Sequence, residues 1–436
     1  MASLCRRRRW TAVIVTLGIG LGVTVTAQAP TNSDRSLLLA MLKDGYESVR
    51  THYFDRSFNG LDWDALYERY VDRVRQAPSV HAGLLTIAEM LDALDDSHTT
   101  FLPPGWLREV DYGYDLMAVG DTIRVAAVRP GSDAAAKVRP GDEVLMLNGK
   151  AISRRTLPRS RYVLAALTPL AESRLTVRGP DGGELDIDIR STVSESRAMR
   201  MLGGGIRFSD FLRAEQEAEF AFRSRTASVG GVLVWRLPRF ISDLGDIDRA
   251  ADAARGHKAA VLDLRGNPGG YVEALRRLAS VFFREPVTLG ALVERRRTST
   301  LSVSPRRGRV FEGPVIVLID SDSASSAEVF ARVVQLENRG QVIGDRSAGA
   351  VRLSQQFPFV WGMDSQTPYA FSITVAEMRL TNGSSLEHRG VTPDTVLLPS
   401  AEDMAAGRDP VLAHAVTSLG GALSPVAAGR LFSQVK

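Results

Sequence analysis

Ala260-Val261-Leu262-Asp263-Leu264-Arg265-Gly266-Asn267-Pro268-Gly269-Gly270 opens on an apolar run and closes on a turn of asparagine, proline and glycine. The run has the length of a buried strand, and a helical pattern from Val272 to Phe283 follows it. The same order recurs downstream, with an apolar run Val315-Ile316-Val317-Leu318-Ile319, a polar turn, and a helical stretch from Ala327 to Leu336. Upstream, Gly231-Val232-Leu233-Val234 is a further run of strand length. Strands alternating with helices over residues 230–400 predict a parallel or mixed sheet with right-handed crossovers.

Outward from this region the pattern changes twice. Residues 108–192 read as short strands punctuated by turns, among them Pro130-Gly131-Ser132, Pro140-Gly141-Asp142 and Leu147-Asn148-Gly149-Lys150. A second strand pair flanks Gly179-Pro180-Asp181-Gly182-Gly183. From Ser33 to about Leu94 the period is helical: Leu38, Leu42, Tyr46 and Val49 share a face, as do Leu66, Tyr70 and Val74, and Leu84, Ile87, Met90, Leu91 and Leu94 continue it. That segment ends at Asp95-Asp96-Ser97-His98-Thr99 before a Pro103-Pro104-Gly105 break. Residues 193–229 are polar and weakly patterned, and read as a connector.

The chain has 436 residues, more than one compact domain usually holds. With 44% hydrophobic and 24% charged residues it is of ordinary globular composition, which excludes a disordered, collagen-like or polytopic membrane chain. The formal charge of +4 comes from Arg6 to Arg9, and the remainder balances. A nucleic-acid binder would keep its basic surplus on the folded part, so no nucleic-acid partner is expected. Residues 1–27 read as a secretory signal, with a basic start, an apolar run from Trp10 to Val25 and small residues at Val25 and Ala27. The run is shorter than the ~20 residues of a stable span, so no span is expected after its removal. Cys5 is the only cysteine and lies inside this segment. The mature chain then has no thiol nucleophile, disulfide or cysteine metal site, which fits export to a periplasm or beyond.

Three stretches together resemble one enzyme family. Leu262 to Gly270 is similar to the strand-and-glycine-turn signature of the C-terminal processing (tail-specific) peptidases, and Ser323-Ala324-Ser325-Ser326-Ala327-Glu328 resembles their nucleophile segment. Leu386-Glu387-His388-Arg389-Gly390-Val391-Thr392-Pro393-Asp394 resembles their closing motif. The turns of residues 108–192 are similar to those of a PDZ domain. The resemblance implies a multidomain α+β protein: signal peptide 1–27, helical module 28–107, PDZ-like β-rich domain 108–192, connector 193–229 and α/β catalytic domain 230–436 with a mixed sheet. It further implies an exported serine-type endopeptidase acting on proteins or peptides.

Ser325-x-x-Glu328 ahead of an apolar helix reads locally as a capping box, worth about 1 kcal/mol. The same geometry exposes a hydroxyl beside a helix N-terminus that stabilises negative charge. The resemblance places the nucleophile at Ser325, with Ser323 and Ser326 near enough in sequence for a shifted register. The Ser326 amide and the glycines Gly269 and Gly270 are the candidate oxyanion hole, the alternative for the glycines being a plain turn.

The general base departs from the common pattern. The position at which serine–lysine members carry their lysine is Ala350, and no lysine occurs between Lys258 and Lys436. Only five lysines stand against 49 arginines, and arginine stays protonated. A second branch, typified by the tricorn core protease, uses a Ser-His pair near the N-terminus and a late glutamate. On that resemblance His98 is the base, Ser97 orients it and Glu387 supports it, imidazole titrating near neutrality. His388 is the rival base, and capping or turn chemistry is the bland reading of Asp96 to Thr99.

In the PDZ-like domain the carboxylate loop falls near Tyr112-Gly113-Tyr114, as a site for strand addition by a substrate tail or as part of a module that shapes the cleft. No cluster has metal-ligand spacing, so neither metal nor cofactor is expected. Two rivals remain: a non-catalytic peptide- or ligand-binding relative that has lost its base, and a hydrolase of small esters or amides.

Overall fold

The computed structural model describes residues 29–104, 108–179, 182–195, 222–306, 308, 310–362 and 367–432. The signal segment 1–27 and most of the 193–229 connector lie outside the described residues.

The alternating region forms a six-stranded sheet in the order Arg225–Val229, Val232–Arg236, Ala259–Asp263, Val315–Ile319, Gln341–Gly344 and Thr395–Val396. The first two strands pair antiparallel and all later pairs are parallel. Both faces are covered, which is why the strands read as continuous apolar runs. Leu233, Trp235, Ala260, Leu262, Val317 and Ile319 face the helices Leu244–Ala254, Val272–Phe282 and Ser326–Leu336. Their neighbours Val232, Val234, Val261, Ile316 and Leu318 pack on the other side against helix Pro410–Ser418. Burying each such side chain contributes about 1.5–3 kcal/mol. The turns after Asp263, Ile319 and Gly344 leave the carboxyl ends of adjacent parallel strands, where open α/β sheets form their ligand crevices.

The N-terminal helices Asn32–His52, Trp63–Arg75 and Val80–Asp92 share one core with late strands. A second, antiparallel sheet runs Thr100–Leu102, Thr367–Arg379, Val287–Glu294 and Thr298–Val303, with Arg352–Trp361 also paired to Thr367–Arg379. The three-residue strand Thr100–Leu102 sits in register Thr100 to Ser372, and Phe101, fully buried, stacks on Phe371 at 5.1 Å. The segment holding Ser97 and His98 is thereby joined to the far end of the chain.

Residues between Tyr114 and Arg190 form a β-rich module with its own core, a strand pair Tyr114–Val119 and Thr122–Val128 beside a four-stranded sheet. It docks on the strand-end turns. Asp345 accepts from the Gly120 amide and from Arg154 Nη1, both at 2.9 Å. Arg161 Nη1 donates to Asp322 at 2.8 Å, and Ser321 Oγ donates to the Ala118 carbonyl at 2.7 Å. Among the described residues no helix is long and apolar enough to cross a membrane.

Candidate active site

The turn after strand Ala259–Asp263 is held rigidly. Buried Asp263 pairs with Arg265, which also pairs with Asp409 at 2.7 Å. Asn267, fully buried, donates through Nδ2 to the Leu237 carbonyl (2.7 Å) and accepts the Gly269 amide (2.8 Å). Its own carbonyl accepts the Ala324 amide at 2.9 Å, joining this turn to the serine turn. The approach is so close that a Cβ on Gly269 would lie 2.5 Å from the Ser325 Cβ, and one on Gly270 would lie 2.1 Å from the Phe240 carbonyl oxygen. Both glycines have positive φ, 91° and 137°. Of the three amides named from the sequence, that of Gly269 is committed to Asn267. Those of Gly270 and Ser326 have no acceptor among the described residues.

Ser325 departs from the ordinary cap. Ser79, Ser400 and Ser424 head their helices with extended backbone, each accepting an amide through its hydroxyl. Ser325 sits at φ 55°, ψ −118°. A non-glycine residue held in so sparse a region costs of order 1–3 kcal/mol and persists only where its surroundings enforce it. Here the Ser325 amide is shared between the Ala350 carbonyl (2.9 Å) and Glu328 Oε2 (3.0 Å). Glu328 is fully buried and also accepts from Ser347 Oγ (2.6 Å), Gly349 N (2.8 Å) and Ala350 N (2.9 Å). Burial pushes its carboxyl up to about 7 against the pull of these donors.

The neighbouring serines are otherwise engaged. Buried Ser323 donates to the Leu264 carbonyl at 2.8 Å, and Ser326 Oγ donates to the Gly270 carbonyl at 3.2 Å. Ser325 remains partly open to solvent. Ala350, hydrogen-bonded to its backbone, offers only a methyl group where the serine–lysine pattern has its amine.

The Ser97-His98 turn reaches the same place from the opposite end of the chain. Ser97 Oγ lies 2.7 Å from His98 Nδ1, and the Ser97 amide donates to Glu387 Oε1 at 3.0 Å. The other Glu387 oxygen accepts the Val351 amide at 2.9 Å, one residue beyond Ala350. Burial lowers the His98 imidazole below its ordinary value, opposed by the charges of Glu387 and Asp96. With Nδ1 at Ser97, the ring's Nε2 is the nitrogen left for a reacting proton. The ring and the Ser325 hydroxyl do not hydrogen-bond each other here. Such contacts are often loose without substrate and tighten in the reacting complex. His388 has its Nε2 3.0 Å from the Asp95 carbonyl and is half exposed.

Several residues under His98 carry no signal that sequence reasoning used. Asp96 has a fully buried side chain whose Oδ1 accepts from the His98 amide (2.8 Å), the Thr99 amide (3.0 Å) and Thr374 Oγ1 (2.7 Å). Its Oδ2 accepts from Tyr53 and from Arg352. Burial works to raise this carboxyl, and Arg352 with the other donors holds it below the ordinary range. Only Asp96's position beside Ser97-His98 could have drawn attention to it. Arg352 is separated from it by most of the chain. Tyr112 and Tyr114 are buried in the β-rich module, with Tyr112 Oη accepting the Leu170 amide and Tyr114 Oη bonded to Ser173 Oγ. The Gly113 carbonyl accepts the Arg129 amide at 2.8 Å.

A hydroxyl on a strained strand-to-helix turn, two open amides and a half-buried imidazole are the groups that acyl transfer requires. Residues 231–397 match peptidase family S41 and residues 39–92 match the tricorn protease C1 domain. A carboxyl-terminal-processing protease of Synechocystis is 26% identical over 413 residues, covering 90% of this chain and 88% of its own. Tricorn protease homolog 1 of Streptomyces coelicolor is 27% identical over 394 residues, covering 84% of this chain and 34% of its own. Among solved structures, mature CPAF complexed with lactacystin superposes with a TM-score of 0.63 at 15% identity, covering 86% of this chain and 96% of that one. The photosystem II D1 C-terminal processing protease gives 0.54 at 19%, covering 89% and 99%. The chain is therefore a serine-type peptidase, a hydrolase. Its residues 231–397 are those of a family S41 peptidase.

Proposed function

We propose that this protein is an exported endopeptidase that cleaves polypeptides through an acyl-enzyme on Ser325, with His98 as general base. Ser325 Oγ attacks the scissile carbonyl carbon as its proton passes to His98 Nε2. The oxyanion so formed takes hydrogen bonds from the Gly270 and Ser326 amides, which have no acceptor among the described residues. Collapse expels the amine, which receives the proton from His98, and water then attacks the ester by the same route in reverse. The imidazolium is steadied by Ser97 Oγ at Nδ1 and by the Glu387 carboxylate behind Ser97. Gly269 acts through its close approach, its own amide being spent on Asn267.

The observation that carries this reading is Ser325 itself, a non-glycine residue at φ 55° against a glycine turn that tolerates no Cβ. A cap alone requires neither. His98 is preferred to His388 because its ring is half-buried and oriented by Ser97, whereas His388 is half exposed and faces the Asp95 carbonyl.

The five-part division of the chain, with residues 1–27 as a cleaved signal and 108–192 as a PDZ-like domain, belongs to the same reading. Burial of Tyr112 and Tyr114 favours a module that shapes the cleft over one that captures a tail through those side chains.

The test is digestion of an unstructured polypeptide, read by mass spectrometry, with Ser325→Ala and His98→Ala alongside. Each substitution should lower turnover by at least ~10³-fold. Activity should rise with pH through a midpoint below the ordinary imidazole value of about 6.5, because the base must be neutral and burial lowers its pKa. Turnover that survives in His98→Ala but not in His388→Ala would move the base. Peptide binding without cleavage by the wild type would point to the non-catalytic relative.

A further inference from the structure

Arg352, whose Nη1 holds Asp96, also lines a cavity of about 420 Å³ outside the site just described. Four guanidinium groups border it, those of Arg56, Arg295, Arg352 and Arg379, against two carboxylates, Asp55 and Glu377. Both carboxylates are already engaged. Asp55 accepts the Ser57 amide (2.9 Å), the Asn59 amide (2.8 Å) and the Ser57 hydroxyl, and Glu377 accepts Arg379 Nε at 2.9 Å.

The cations are not matched to the same degree. Among the described residues neither Arg56 nor Arg295 has a carboxylate partner, and Arg295 donates only to the Tyr53 carbonyl, at 2.7 Å. Arg352, 9% exposed, is ion-paired with Asp96 and Glu387, and its Nε, 3.8 Å from Glu387, still lacks a hydrogen-bond partner among the described residues. Burial, then the neighbouring Arg56 and Arg296, lower the Arg295 pKa, with Asp55 opposing them in part. The chain is rich in arginine, and among the described residues more than half of the guanidinium groups elsewhere are matched to carboxylates, as Arg174 is to Asp188 and Arg178 to Glu143.

We propose that this cavity binds an oxoanion, a carboxylate or phosphate group, gripped by Arg56 and Arg295 with Arg352 behind it. Guanidinium forks suit such groups through paired, charge-assisted hydrogen bonds. Phe54 and Val293 in the wall give an organic carrier something to pack on. The anion has two available sources, a peptide carboxylate or a free inorganic ion.

The experiment is isothermal titration of the full chain carrying Ser325→Ala, so that no probe is consumed and the outcome is independent of the catalytic reading. The probes are inorganic phosphate and an acetylated peptide ending in a free carboxylate, with its amide as control. Saturable binding is expected with a Kd of about 1 mM or tighter, weakening as salt rises from about 0.05 to 0.5 M. Arg56→Gln should weaken it about threefold or more, and the Arg56→Gln/Arg295→Gln pair at least tenfold. Arg56 is exposed and has no hydrogen-bond or ion-pair partner among the described residues, so its variant tests the site even if loss of the Arg295–Tyr53 contact disturbs folding. A preference for the peptide acid over its amide assigns the peptide carboxylate, and phosphate binding without that preference assigns the free ion. No saturable binding of either probe, or binding unchanged in Arg56→Gln and in the double variant, would overturn the proposal.

Discussion

At the scale of single residues two buried carboxylates hold the site, Glu328 under the Ser325 turn and Asp96 under the Ser97-His98 turn. Glu328 ties the Ser325 amide to the loop of Ser347, Gly349 and Ala350 through four donors. Above pH about 7, where the ionised Glu328 accepts all four bonds, Glu328→Gln replaces one acceptor oxygen with a donor facing other donors, which should cost about 1–3 kcal/mol and most of the activity. Because the Glu328 pKa is raised to about 7 from its ordinary 4.5, this group stays protonated in the fold while it ionises in the unfolded chain. Its contribution therefore weakens stability as pH climbs between those values, and chemical denaturation across that window should show a smaller pH slope in Glu328→Gln.

Asp96 does the corresponding work for His98. Asp96→Asn keeps the shape but removes a charge that raises the imidazole pKa. Turnover should fall at least about tenfold as the Ser97-His98 turn loosens. The acid limb of kcat/KM should move to lower pH, a shift that mere structural damage would not produce.

At the scale of elements, the geometry depends on turns packed backbone against side chain. Gly270 shows it best: its φ of 137° and the 2.1 Å from a would-be Cβ to the Phe240 carbonyl oxygen leave no room for alanine. Gly270→Ala should lower stability by at least about 2 kcal/mol and abolish turnover. A thermal melt beside the digestion assay checks both.

The parallel strands and crossover helices were legible in the sequence because both faces are buried, so their apolar runs stand out without alternation. The helix Ser326–Leu336 was legible too, through its apolar period and the glutamate that reaches back to Ser325. The strained backbone of Ser325 was not. A serine, two residues and a glutamate look the same whether the serine is an extended cap or is forced to positive φ by a neighbouring turn.

For the whole molecule, the β-rich module is fastened to the turns that bear Asp322 and Asp345, close in sequence to Ser325 and to the Glu328-bound loop. Arg154→Ala combined with Arg161→Ala should free the module while leaving both cores intact. Limited proteolysis ought then to cut between module and sheet several-fold faster, with the sheet's own melting transition little changed.

The amino-acid sequence by itself determined the alternating sheet, the glycine turn, the serine segment ahead of its helix, and the absence of any lysine between Lys258 and Lys436. These are local properties, set by periodicity, turn chemistry and composition within a few residues. Only the tertiary structure decided what stands around His98. Strand Thr100–Leu102 pairs with Thr367–Arg379, Asp96 meets Arg352 and Thr374, and Ser97 meets Glu387 across 290 residues. Those partners are brought together by sheet pairing and a shared core, and a buried carboxylate or guanidinium carries no mark in its own neighbourhood of the charge it will face.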